Sequence, residues 1–220
     1  MAKFDQKKAM KKQVVIYQLV LDRSGSMGSV TEETISGFNE QVQRIHELAE
    51  QYPNQKICVN LCLFNHLVEQ TLKNVSAGIL QELSFKSYRP EGMTALYDAV
   101  GSSIRQVKKQ IKMLTDEVKY KVYFVILTDG HENASRQFRY EKIKKSIKKL
   151  EDTKKWEFSY LGSTLDAVEI ATSLNIKSSN ATYFRKDRIQ ESFGGVSDKF
   201  SSWVDDFSTE IEEEEKENKE

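Results

Sequence analysis

Cysteine and proline are scarce in this chain, at two each among 220 residues. Cys58 and Cys62 fall in one predicted strand, four positions apart. At strand rise that separation is roughly 13 Å, so a disulfide between them is excluded. Buried thiols in a reducing compartment are expected instead. Long apolar runs are missing as well: nothing approaches the roughly eighteen consecutive apolar residues of a membrane helix. The start has lysines without the apolar segment of a secretory signal, so a cytoplasmic location is the expectation. Neither sign of charge prevails, because 33 Lys and Arg balance 33 Asp and Glu. Bulk charge therefore calls for no nucleic-acid and no membrane partner. The phosphate-cradling patterns G-x-x-x-x-G-K-[ST] and G-x-G-x-x-G do not occur, nor does the G-x-S-x-G turn of a serine hydrolase.

What charge there is lies unevenly. The opening MAKFDQKKAMKK is lysine-rich and the closing EIEEEEKENKE strongly acidic. Such runs read as solvated tails. That leaves residues 13–207 as one domain between a basic tail, 1–12, and an acidic tail, 208–220, with ample chain for a core.

Three segments, residues 14–21, 57–64 and 122–127, are apolar almost throughout. Strands of that kind belong to a parallel sheet covered on both faces. Residues 156–161 and 181–184 predict outer strands, and 67–71, after the Asn65-His66 turn, an antiparallel edge. Helical stripes fill the intervals: Ile35, Phe38, Val42, Ile45 and Leu48; Leu96 through Leu114; Ile143, Ile147 and Leu150; Ala167, Ile170 and Leu174; Ile189 through Phe207. Ser29 with Glu32 reads as a capping box for the first. Alternation of strand and helix predicts an α/β fold: a doubly wound, mostly parallel central sheet with one antiparallel edge strand and helices on both faces. Ligands of such sheets bind outside the carboxyl ends of the strands.

Three oxygen-rich loops reach that edge. The first strand ends in Asp22-Arg23-Ser24-Gly25-Ser26, the strand from Val122 ends in Thr128-Asp129-Gly130, and Gly92-Met93-Thr94 leads into the second helix. Two carboxylates and three hydroxyls, with no histidine or thiolate, favour a hard cation such as Mg²⁺, with Mn²⁺ or Ca²⁺ as alternatives. Asp22 and Asp129 would neutralise a divalent ion and leave it free to accept another anionic oxygen. Helix amino ends nearby would help hold that anion.

D-x-S-x-S, a later G-x-T and T-D-G in this order resemble the von Willebrand factor type A domain with its metal ion-dependent adhesion site. The likeness extends over residues 12–207. It implies a Rossmann-like fold in which Ser24 and Ser26 bind the metal directly. Thr94 would do so in the ligand-competent state, and Asp22 and Asp129 mostly through water. A partner's Asp or Glu would fill the last position. The resemblance further implies a non-catalytic adaptor, as in small cytosolic bacterial members linked to tellurium-resistance and stress operons or in adaptor subunits of metal chelatases. Met93 stands where many members carry a smaller residue.

Other readings compete. A metal-dependent phosphohydrolase would want D-x-D, where Ser24 replaces the second aspartate and no proton donor is evident. A purely structural metal is a third. Gly25, Met27, Gly92, Met93, Gly130, His131 and Glu132 are expected to rim the site. Asp98 is read as offsetting its helix dipole rather than as a ligand. Lys142, Lys144, Lys145, Lys148 and Lys149 form a solvated helix face rather than a nucleic-acid patch. Gly194-Gly195 interrupts the last stripe, either for close packing or as a point of weakness.

Overall fold

The computed structural model describes residues 13–217. The basic segment 1–12 and residues 218–220 of the acidic end lie outside the described residues. In chain order the elements are β1 (Gln13–Asp22), α1 (Thr31–Gln51), β2 (Gln55–Phe64), β3 (Val68–Ser76), α2 (Leu96–Ile111) and β4 (Lys119–Thr128). There follow α3 (Tyr140–Glu151), β5 (Trp156–Gly162), α4 (Ala167–Ser173), β6 (Ala181–Tyr183) and α5 (Ile189–Glu217). The sheet order is β3-β2-β1-β4-β5-β6, parallel except for the antiparallel β2–β3 pair. This is the α/β class that the alternating pattern predicts.

Every residue of β1 is buried, because both faces of the central strands are covered. Val15, Tyr17, Leu19 and Leu21 point into one core with α1 and α5. Val14, Ile16 and Val20 point into the other, with α2, α3 and α4. The period-2 alternation of a strand thus divides one apolar run between two cores. The strand order reverses between β1 and β4, so the crevice for a ligand opens between their carboxyl ends. Asp22 ends β1, and Asp129 follows β4 there.

Three local expectations are corrected. The Ser29–Glu32 capping box does not form: a 3-10 turn, Gly25–Val30, precedes α1, and Ser29 Oγ donates to the Ser26 carbonyl instead. The acidic segment does not begin as a tail at 208, since α5 continues to Glu217 with Ile211 in the core. Its charged outer face hides an inner apolar stripe. A Cβ on Gly194 or Gly195 would meet nothing within 4 Å, so close packing does not account for that pair. The tight approach lies elsewhere, at Gly37 of α1, where a Cβ would stand 2.2 Å from Phe193 Cδ2 of α5.

Candidate metal centre

Asp22 is built into the sheet before it can serve any ligand. Its carboxylate is 0 % exposed. Oδ1 accepts the Ser24 backbone N–H at 2.6 Å and Oδ2 accepts the Thr128 hydroxyl at 2.6 Å. Tyr88 donates its hydroxyl to the Asp22 carbonyl, also at 2.6 Å. Burial, the dominant cause, pushes this carboxyl up to about 6 despite the hydrogen bonds from Thr128 and Ser24, and the charge of Asp129 adds to the rise.

Backbone hydrogen bonds hold the second loop against the first. Gly25 donates to the Gly92 carbonyl at 3.0 Å, and Glu91 donates to that of Arg23 at 2.8 Å. Gly92 has φ +74, and His66 lies where its side chain would be. Only glycine accepts both conditions cheaply. Thr94 is then clamped: its N–H donates to Asn133 Oδ1 at 2.9 Å, and its carbonyl accepts from Asn133 and Ala134.

The functional oxygens meet at Gly130. Ser24 Oγ and Ser26 Oγ are 3.1 Å apart, and Ser26 Oγ donates to Asp129 Oδ1 at 2.6 Å. A Cβ on Gly130 would come to 3.3 Å from Thr94 Oγ1 and 3.6 Å from Ser26 Oγ, so the bare glycine keeps this space open. All five sequence-predicted side chains, Asp22, Ser24, Ser26, Thr94 and Asp129, are therefore brought to one place. Asp129 Oδ2 is buried and has no hydrogen-bond partner. A buried carboxylate oxygen in that state needs a cation, and the one beside it is the Lys186 ammonium at 2.5 Å, a single positive charge for two buried carboxylates. The residues thus fit a hard divalent ion. Among the described residues no three His, Cys, Asp or Glu side chains cluster, so hydroxyls must complete the donor set.

The predicted rim divides. Met93 is 53 % exposed, and His131 is exposed beside Asp166 at 4.0 Å. Gly25, Gly92 and Gly130 contribute backbone. Met27 is fully buried, because the 3-10 turn folds it into the core, and does not belong to the rim. Glu132 is not free either. Its carboxylate accepts the backbone N–H groups of Tyr97, Ala134 and Ser135 and the Ser135 hydroxyl. Asp98 performs a similar task rather than facing the metal space. Its two oxygens accept the N–H groups of Arg136, Gln137 and Phe138 at 2.7–2.9 Å, fixing the loop after β4.

Sequence reasoning missed three contributors. Thr128 sits inside the T-D-G pattern, and its place before Asp129 was the available signal. Tyr88 had none. Lys186, in a 3-10 turn (Lys186–Arg188) leading into α5, places Nζ 2.5 Å from Asp129 Oδ2 and 3.2 Å from the Ser26 carbonyl. That contact is an ion pair, while Oδ2 has no partner of hydrogen-bond geometry. Further away, the α3 lysines are solvated as expected but not alone. Lys142 lines a cleft of about 380 Å³ with Arg105, Lys108 and Lys109 of α2 and Lys112 just after it, and Arg105 and Lys142 both lie over the Phe138 ring.

No protein-family model and no curated protein matches the chain. Solved structures do. The vWF domain of the type V pili tip protein Mfa5 from Porphyromonas gingivalis superposes with TM-score 0.61 at 9 % identity, covering 89 % of this chain and 97 % of that one. The PilB minor pilin from Streptococcus sanguinis gives 0.58 at 11 %, covering 88 % and 62 %. Proximal thread matrix protein 1 from the mussel byssus, with a zinc-occupied MIDAS motif, gives 0.53 at 12 %, covering 87 % and 46 %. The chain spans less than two thirds of the latter two proteins. Likeness at such low identity speaks for architecture, and the architecture of this chain is that of a von Willebrand factor type A-like domain.

Proposed function

We propose that Ser24, Ser26, Thr94, Asp22 and Asp129 hold a divalent cation, Mg²⁺ before Mn²⁺ or Ca²⁺, and that the chain is a protein-interaction module without catalytic activity. The cation would accept an acidic side chain of a protein partner at its open position. One observation carries this reading: three loops bring two buried carboxylates and three hydroxyls together beside Gly130, with the single ammonium of Lys186 against them. Support comes from the pilus proteins among the structural neighbours and from the zinc-occupied MIDAS of the byssal protein. A phosphohydrolase is disfavoured because Ser24 hydrogen-bonds Ser26 where a second aspartate would be needed. The buried free thiols of Cys58 and Cys62 suit a cytoplasmic setting. Kinship with small bacterial stress-operon proteins belongs to the same reading and rests on the motif.

A cation that binds only the folded state raises its stability by about 2.7 kcal/mol at a hundred times Kd. For a chain of this size that means a melting temperature higher by about 5–10 °C. Thermal melting with and without Mg²⁺, Mn²⁺ or Ca²⁺ should show this rise, and Ser26→Ala or Asp129→Asn should abolish it. Absence of any rise at millimolar metal would sink the metal reading. The partner half is checked by capture in Mg²⁺ against chelator, followed by Asp→Asn and Glu→Gln changes in the captured protein. An affinity loss of tenfold or more is expected for one of them. A metal-induced rise with no metal-dependent partner would instead favour a structural ion.

A further inference from the structure

Two cations claim the same carboxylate. In the metal reading above, on which this inference rests, Asp129 faces the divalent ion. In the structure, its Oδ2 faces the ammonium of Lys186 at 2.5 Å. The Asp129 side chain is fully buried, whereas that of Lys186 is 41 % exposed. The lysine therefore reaches in from solvent over the rim, and Asp129 does not reach out. Its ammonium also donates to the Ser26 carbonyl at 3.2 Å, and Ser26 Oγ donates to the other oxygen of Asp129. The ammonium thus covers the side of Asp129 that Ser26 leaves open.

We propose that Lys186 is an intramolecular competitor of the metal, holding Asp129 when no divalent ion is bound and leaving it when one arrives. The physical reasons are charge and desolvation. Asp22 and Asp129 are two buried carboxylates that repel each other, and a single ammonium offsets part of that repulsion without matching a divalent ion. An ammonium and a divalent ion beside the same oxygen repel strongly at low dielectric, so both cannot stay. A half-exposed lysine can withdraw its head into water while its stem remains on the surface, so the exchange is cheap. Position adds a consequence. Lys186 belongs to the turn that opens α5, and Ser26 to the turn that leads from the site loop into α1. The lysine contact ties these two turns together, and metal binding removes that tie.

The test is metal affinity measured without any partner. Mg²⁺ and Mn²⁺ are titrated calorimetrically into the unchanged protein, Lys186→Ala, Lys186→Gln and Lys186→Arg, with thermal melting in parallel. Removing the ammonium should tighten metal binding about 2- to 5-fold, the range appropriate to an ion pair with one half-exposed partner. The arginine variant should keep the weaker affinity. Metal-free Lys186→Ala should melt lower than the unchanged protein, and the metal-loaded forms should melt together. Equal or weaker affinity in Lys186→Ala overturns the proposal while leaving the metal reading intact. Metal binding by Lys186→Ala alone supports it, since competition would then be complete. Binding by none of the four proteins overturns both.

Discussion

Residues gain their properties here from what covers them. Cys62 lies on β2 under α2, and burial pushes its thiol up to about 12. Cys58 is shifted in the same direction for the same reason. A raised thiol pKa keeps the neutral form, so at pH 8 the thiolate of Cys62 is on the order of one part in ten thousand. Both thiols should resist alkylation in the native protein up to about pH 9 and react promptly in denaturant, as counted by mass spectrometry. Thr128 is the complementary case, a hydroxyl whose value lies in the charge it serves. Thr128→Val leaves Asp22 Oδ2 buried without its donor, which costs about 1–3 kcal/mol. Urea unfolding should show that loss, and Thr128→Ser should recover most of it. A valine variant as stable as the unchanged protein would mean that Asp22 finds another donor.

Elements were legible in the sequence to the degree that one period ruled them. β1, β2 and β4 read plainly because both faces are buried, and α1 and α2 because a single stripe is. The convergence of Asp22, Ser24, Ser26, Thr94 and Asp129 was legible because each lies at or just beyond the end of a readable strand, or just before a readable helix. Lys186 was not: it lies 160 positions from Ser26, and nothing local announces the contact. Met27 and Glu132 were misplaced because a 3-10 turn and a self-bonded loop turn them inward. Glycine shows the same divide between pattern and packing. Gly37→Ala should destabilise by about 1–3 kcal/mol, because its Cβ collides with Phe193 and α1 and α5 must separate. Gly194→Ala and Gly195→Ala meet no obstacle and should each stabilise by up to about 1 kcal/mol through helix propensity. Opposite signs in denaturant unfolding at chemically identical substitutions are the expected outcome.

At the scale of the whole molecule the question is where the domain ends. Composition placed the boundary at residue 207, but the far end of α5 is packed against the sheet. Lys121 of β4 is buried, and its ammonium lies 2.6 Å from Glu210 Oε1 and 4.5 Å above the Trp203 ring. Lys119 pairs with Glu214 one turn further along. Ile211 closes the α1–α5 core between them. Deleting residues 208–220 removes Ile211, whose burial contributes about 1.5–3 kcal/mol. It also takes the carboxylate from a buried lysine, which keeps only its aromatic neighbours. Glu210 is itself half exposed, so the ion pair alone is worth about 1 kcal/mol. The truncated protein should therefore lose about 3–4 kcal/mol and melt about 10 °C lower. Glu210→Gln in the full chain should cost no more than about 1 kcal/mol, and Lys121→Met should recover part of what truncation removes. If the truncated chain melts with the full one, the acidic segment is a tail after all, and the packing of Ile211 contributes nothing.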